Sequence, residues 1–152
     1  MNLKRCGKLL EQALRDTDLF MDRDCSSDFS SDVCFFSFDG MGGFIETVLG
    51  GDYESSITFC VSRWGEVSVE LYFSNAKAMS AARYLPSILA NLQGMYETMS
   101  TPYIPGQSAL SCRVSLNGVN DANAYDYSTQ IIQAACYVII QMSKALGVYI
   151  DY

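Results

Sequence analysis

The strongest constraint on the fold is an alternating pattern over residues 56–73, SITFCVSRWGEVSVELYF. Ile57, Phe59 and Val61 alternate with small polar or thiol side chains, and a second apolar series alternates in the same way after the RWGE turn. Successive side chains of a strand point to opposite faces, so this pattern predicts an antiparallel hairpin with one apolar face and one more polar face. Such a sheet needs helices packed over its apolar side.

Further strands are predicted on both sides of this hairpin. VCFFSF (33–38) and FIETVL (44–49) are separated by the glycine turn DGMGG, and both are rich in residues that favour strands. After the loop TPYIPG (101–106), residues 110–116 alternate again, and Asn117-Gly118 is a turn signal. These runs together predict an antiparallel sheet.

Three segments have the spacing of amphipathic helices. The first covers about residues 2–21, and the second runs from the N-cap Asn75 to about residue 99, with a kink at Pro86. The third begins at Asn123 or Asp126 and ends at Leu146, before a glycine. The predicted fold class is therefore α+β, an antiparallel β-sheet packed against two long helices, with an N-terminal helix. The 152 residues suit a single domain spanning 1–152.

Charge excludes a nucleic-acid-binding surface of the usual kind. The net charge is −7, and residues 16–54 hold ten of the 17 acidic residues with a single arginine. Binding to phosphate backbones needs a basic surface, and the only candidate is the small group Lys4, Arg5 and Lys8. We expect no nucleic-acid partner.

The cysteines indicate a reducing compartment. None of the six is spaced as in a zinc or redox motif, and four lie within apolar strand or helix patterns. The longest uncharged apolar run, residues 134–140, is too short to cross a bilayer, and residues 1–16 lack the apolar core of a signal peptide. The expectation is a cytoplasmic protein with free thiols and no membrane contact.

The acidic stretch DRDCSSDFSSD (22–32) was compared with the calcium-binding loop of EF-hands. Asp22, Asp24 and Asp28 fit ligand positions, but the sixth position is Ser27 instead of glycine and the twelfth is Val33 instead of glutamate. We therefore predict a solvated acidic loop without a bound metal. Together with Asp32, these aspartates are candidate contacts for a partner protein.

Two observations argue against catalysis. The chain contains no histidine, which removes Ser-His-Asp and Cys-His sites. DGMGGF (39–44) lacks both the third glycine of a dinucleotide fingerprint and a following lysine, so it predicts a hairpin turn and no cofactor. No catalytic residue is assigned. A small carboxylate-based enzyme is kept as an alternative, and it would need a closed pocket holding at least two of four carboxylates: Asp39, Glu46, Glu66 and Glu70.

Trp64 is the only tryptophan, and it lies at the tip of the RWGE turn. A tryptophan at this position either folds over the sheet edge or is offered to a partner. We treat Trp64 as a candidate partner-binding residue and leave both possibilities open here.

The last helix is apolar around most of its circumference, which requires burial on most sides. The single sheet covers one side, so the other must be covered by the 76–99 helix or by a second copy of the chain. We predict a homodimer in which Ile139, Ile140 and Met142 lie in the interface.

The order of elements resembles that of type III secretion chaperones and of the YbjN-like bacterial sensory transduction regulators. The resemblance is carried by the hairpin SITFCVSRWGEVSVELYFS, the segment AARYLPSILANLQGMYETMS, and the strand SALSCRVSL before an apolar terminal helix. It implies a small acidic homodimer that binds other proteins and has no cofactor. The hypothesis is a non-enzymatic, chaperone- or regulator-like protein-binding module; the alternative is a phage or mobile-element inhibitor that binds a host protein through its acidic face.

Overall fold

The computed structural model describes residues 1–17, 25–39, 56–73, 82–100 and 110–146. The predicted strand 44–49, the turn at 40–43, Asp22, Asp24 and the cap at Asn75 lie outside these ranges. The elements in chain order are α1 (Leu3–Arg15), β1 (Ser26–Phe29), β2 (Val33–Asp39), β3 (Ser56–Ser62), β4 (Glu66–Phe73), α2 (Leu85–Leu89), β5 (Tyr96–Ser100), β6 (Leu110–Asn117) and α3 (Ala124–Leu146).

The strands form one six-stranded sheet in the order β1-β2-β3-β4-β6-β5, and all neighbours are antiparallel. This confirms the predicted α+β class and the β3–β4 hairpin. The side chains predicted to form the apolar face of that hairpin are buried, as shown by Ile57, Phe59, Val67 and Leu71, each 0% exposed.

α1 and α3 pack together on one face of the sheet. α1 packs on β2, β3 and α3, while α3 packs on β4 and β6. α1 buries Cys6, Leu10, Ala13 and Leu14 in the same core. The side of α3 that the sheet leaves open is therefore covered largely by α1, an arrangement that the sequence did not suggest.

The prediction of a second long helix is wrong over the residues that the structure describes. Residues 85–89 form one short helix with Pro86 in its first turn, and Gly94 then adopts φ +77°. This positive φ, which glycine adopts without strain, turns the chain into β5. Tyr96 and Met99, predicted on a helix face, therefore lie on a strand that pairs with β6.

Two smaller boundaries also differ from the predictions. α1 ends at Arg15, with Asp16 as its C-cap, so it does not reach residue 21 as one continuous helix. Residues 26–29 of the predicted acidic loop form β1, which pairs with residues 34–37 of β2. The sequence SSDF has little intrinsic preference for a strand, so backbone pairing at the sheet edge decides its conformation.

α3 begins directly after Asn123, one of the two predicted caps. The Asn120 Oδ1 atom accepts hydrogen bonds from the backbone N–H groups of Ala122 and Asn123, at 2.9 and 3.1 Å. The Asn123 Oδ1 atom in turn accepts one from the Asn120 N–H, at 2.8 Å. These reciprocal bonds satisfy N–H groups at a helix start. They also fix the connection from β6 to α3.

Candidate functional site: the turn between β3 and β4

Trp64 lies at the tip of a three-residue connection, Arg63-Trp64-Gly65, between β3 and β4. The Gly65 N–H donates to the Ser62 carbonyl at 3.1 Å, and Gly65 has φ +80°. A turn followed by a left-handed glycine is a common way to close a hairpin with three loop residues. It directs the Trp64 side chain outward, where it is 69% exposed.

Backbone hydrogen bonds hold this turn on two sides. The Arg63 N–H donates to the Asp32 carbonyl at 2.8 Å, which ties the turn to the β1–β2 connection. The Val119 N–H donates to the Gly65 carbonyl at 2.9 Å, which ties it to the segment before α3. Trp64 is therefore presented from a fixed backbone, and little conformational entropy of the turn is lost when a partner binds.

Arg63 links Trp64 to one of the predicted aspartates. The guanidinium carbon of Arg63 lies 4.7 Å from the centre of the Trp64 ring, and its Nε atom lies 3.0 Å from Asp32 Oδ1. Cation–π contacts at exposed sites contribute about 0.5–1 kcal/mol. The Arg63 and Asp32 side chains are both more than half exposed, so their ion pair is worth little stability. Its effect is to orient the arginine over the indole.

Of the two candidate aspartates that the structure describes, Asp28 and Asp32, it brings one to Trp64. Asp32 contacts Arg63, while Asp28 is exposed on β1, opposite Phe35 of β2. The sequence reasoning missed Arg63. Val33 pairs with Ser62, and one further step along the ladder places Asp32 beside Arg63. That register could not be read from the sequence, because residues 40–55 separate the two strands.

On the sheet face opposite α1 and α3, several of the described side chains are small and polar. Ser68 and Ser115 are 5% and 4% exposed, and the hydroxyls of Ser37 and Thr58 lie 3.0 Å apart. Arg113 Nη2 contacts Glu66 Oε1 across this face. Glu66 is therefore half of an ion pair, and Glu70, the cross-strand neighbour of Arg113, is exposed.

A groove of about 580 Å³ lies between the end of α1 and α3. At one end of it the Tyr125 hydroxyl donates to Asp16 Oδ2 at 2.5 Å. It is lined by Ala13, Asp16, Thr17, Tyr125, Thr129, Ile132, Gln133, Cys136, Tyr137 and Ile140. None of the carboxylates considered for an enzyme lines this groove, while the Asp39 side chain and Glu46 lie outside the described parts. Burial raises the pKa of the Cys136 thiol to about 11, so this thiol is protonated at neutral pH.

No family model, curated protein or solved structure matches this chain.

None of the six cysteines forms a disulfide, and Cys25 is the exposed one. Burial raises the pKa of Cys112 to about 12 and is the largest cause of the raised pKa of Cys6, about 11. Among the described residues, no group of three or more Cys, Asp or Glu side chains is placed to hold a metal ion. No helix in the described ranges is long and apolar enough to span a membrane.

The residues predicted for a dimer interface lie mostly inside the chain's own core. Ile139 is 1% exposed and Met142 is 0% exposed within a single copy, whereas Ile140 is partly exposed and borders the groove. The side chains of Ile139 and Met142 are both buried within a single copy, so neither offers surface to another copy. The homodimer itself stays a prediction, and of these three residues Ile140 is the one with surface to contribute to it.

Proposed function

We propose that this chain is a non-enzymatic protein-binding module that holds its partner through the turn surface, defined as Asp32, Arg63 and Trp64. The observation that carries the proposal is the 69% exposure of Trp64 on a turn fixed by hydrogen bonds from two other segments. A large aromatic side chain left in water forgoes about 1.5–3 kcal/mol of burial. Binding of a partner would recover that free energy.

The chemistry of the turn surface supports a protein partner. Tryptophan and arginine are the residues most enriched at the centres of protein interfaces, where a few side chains supply most of the affinity. Arg63 is already placed over the indole, so its rotamer need not be ordered on binding. A partner groove with apolar walls and a carboxylate at its rim would accept Trp64 and Arg63 together.

The charge of the chain favours a partner with a basic surface around that groove. The net charge is −7, and Asp28 and Asp32 are both exposed on the β1 side of the sheet. Opposite charges outside the apolar centre speed association and align the two proteins, although they add little affinity. We therefore expect association to slow as salt is added.

The side chains that could perform chemistry favour binding over catalysis. The sequence has no histidine, and burial raises the pKa of the Cys6, Cys34, Cys60, Cys112 and Cys136 thiols, which makes them weak nucleophiles at neutral pH. Glu66 is held by Arg113. These features support a role in recognition.

The proposal is tested by capturing partners with the tagged protein, with Trp64→Ala, and with Tyr96→Ala as a control. Tyr96 is similarly exposed, at 65%, and lies on the edge strand β5, away from the β3–β4 turn. A partner of the turn surface should be retained by the wild type and the control and lost from Trp64→Ala, with an affinity loss of about thirtyfold for an anchor worth 2 kcal/mol. Equal retention by all three proteins would refute the proposal.

Fluorescence provides the second measurement. Trp64 is the only tryptophan, so its emission reports this site alone. Emission from the free protein should resemble that of indole in water, and titration with the captured partner should move it to shorter wavelength as the ring leaves water. A partner that binds without this shift contacts another surface.

A further inference from the structure

Among the described strands, the sheet ends on one side at β5, whose residues 96–99 are exposed. β5 pairs with β6, and among the described residues no other strand pairs with it. Residues 96–99 are all exposed, and two of them are large apolar side chains, Tyr96 at 65% and Met99 at 41%. Alternate N–H and C=O groups of an edge strand point away from the sheet, where a further strand can pair with them.

β5 lacks the devices that usually protect a sheet edge. It contains no proline, no lysine and no residue with positive φ that would mark a bulge, and Glu97 is its one charge. Its side chains expose apolar surface on both faces, because Tyr96 lies on the polar face and Met99 on the helix face. An added strand would cover both.

The opposite edge is built differently. β1 consists of Ser26, Ser27, Asp28 and Phe29, of which the first three are exposed and the last packs on the core. Asp28 sits inside the segment that carries most of the acidic charge of the chain. A second copy placed along β1 would bring two of these acidic segments together.

We propose that β5 pairs antiparallel with β5 of a second copy of this chain, with Thr98 on the two-fold axis. In this register Glu97 of each copy lies opposite Met99 of the other, so the only charge on the strand never faces itself. A register centred on Glu97 would place two carboxylates directly opposite, which is unfavourable. Because the two-fold axis passes between two equivalent residues, it is perpendicular to the sheet. The helices of both copies therefore lie on the same side of the joined sheet.

This interface replaces the one expected on α3, whose Ile139 and Met142 are buried within one copy. It does not depend on the turn surface, so the two proposals can fail separately. A five-residue strand buries less area than a standard protein interface, so we expect a weak, concentration-dependent dimer. Each copy carries a net charge of −7, and added salt should strengthen the dimer by screening that repulsion.

The first test is sedimentation velocity at about 0.5 mM protein, a concentration suited to interfaces below standard size. The wild type should contain dimer. Thr98→Asp should be monomeric, since it places two carboxylates opposite each other on the axis, and its fold is checked by circular dichroism. The matched control is Ser27→Asp on the opposite edge, which should dimerise as the wild type does. A monomeric wild type, or a dimer that survives Thr98→Asp, overturns the proposal.

The second test measures the register and remains informative if Thr98→Asp fails to fold. All variants carry Cys25→Ser, which removes the exposed native thiol. Opposite residues of an antiparallel pair have Cα atoms about 4.5–5.5 Å apart, within the range that a disulfide bridges. Thr98→Cys should therefore cross-link to itself under mild oxidation. Glu97→Cys and Met99→Cys should each cross-link poorly alone and readily when mixed.

The outcomes of the second test separate this register from others. Efficient cross-linking of Glu97→Cys to itself would place the axis at residue 97 and refute the register. No cross-link for Thr98→Cys, together with none for the mixture, refutes the pairing of β5 altogether. In either case the result with Trp64→Ala is unaffected.

Discussion

Gly7 of α1 packs directly against Cys34 of β2. A Cβ atom built at Gly7 would lie 2.8 Å from the Cys34 Sγ atom and 2.9 Å from its Cβ atom, and 3.0 Å from an edge carbon of the Phe29 ring. Real Cβ atoms essentially never lie that close to another heavy atom. The glycine lowers the helix propensity of α1, but it lets the helix approach the sheet.

Gly7→Ala should therefore destabilise the protein despite improving the helix. Alanine gains up to about 1 kcal/mol of helix propensity, whereas overpacking a core costs about 1–3 kcal/mol, so we expect a net loss of roughly 0.5–2 kcal/mol. In urea denaturation, this loss of stability should appear as a lower midpoint concentration with an unchanged m-value. Lys4→Ala, at an exposed position of the same helix, should change stability by less than about 0.5 kcal/mol. A rise in midpoint for Gly7→Ala would contradict the close packing.

The hydrogen bond from Tyr125 to Asp16 predicts a pH dependence. This bond is the largest cause of the lowered pKa of Asp16, and a bond from Gln12 is the second. A carboxyl whose pKa is lowered by folding stabilises the fold above its unfolded pKa, near 3.9, and the effect is lost as pH falls through the folded pKa. Tyr125→Phe should thus be less stable than the wild type at neutral pH and equal to it near pH 2.

The Asp16 pKa measured by NMR provides the direct check. It should rise toward its ordinary value in Tyr125→Phe, and rise less in Gln12→Ala, because the tyrosine makes the larger contribution. The Tyr125 pKa is itself raised by this bond, so the stabilisation should persist in alkali until the tyrosine ionises. An Asp16 pKa unchanged by Tyr125→Phe would show that the bond does not form in solution.

Cys25 should react with a thiol reagent faster than the other five cysteines. Cys25 is exposed, whereas the other five are buried or half-buried and have raised pKa values. A thiol reagent applied at about pH 8, below the ordinary cysteine pKa, should modify one thiol quickly in the native protein and all six in denaturant. Cys25→Ser should abolish the fast phase and Cys60→Ser should not. More than one fast thiol would mean that the core opens readily.

Ile139→Asp should unfold the protein rather than separate two copies. The side chain is 1% exposed, and an unpaired carboxylate there should cost at least about 4 kcal/mol. Gln133→Asp, exposed on the same helix, should cost less than about 0.5 kcal/mol. Circular dichroism reports whether the Ile139→Asp variant is folded, and light scattering reports whether it is a monomer or a dimer. A folded monomer from Ile139→Asp would instead place this residue between copies.

Much of the fold follows from local patterns. Strict alternation located β3, β4 and β6, and the apolar spacing and caps located α3. Within the segment 82–100, the helical spacing of Leu85 and Leu89 matches the short α2. The predicted helix extended too far, because Tyr96 and Thr98 become strand residues through pairing with β6. That pairing is a long-range contact, and no local pattern encodes it. β1 was missed for the same reason.

The candidate site was predictable in part. The position of Trp64 on a turn followed from the hairpin, but its exposure depended on whether other segments cover that turn. Asp32 was singled out for its charge and belongs to the site because of its partner Arg63, which only the β2–β3 register supplies. The burial of Ile139 likewise depended on how α3 packs on the sheet and on the other helices.

The docking of α1 on α3 has a consequence for synthesis on the ribosome. Asp16 and Tyr125, which join the two helices, are 109 residues apart, so the first helix leaves the ribosome long before its partner exists. Until α3 emerges, the apolar side chains of β4 and β6 on which it packs, such as Val69 and Val114, lack its cover. Nascent chains that stall before residue 124 should therefore bind general folding chaperones or aggregate, and release of α3 should end that exposure.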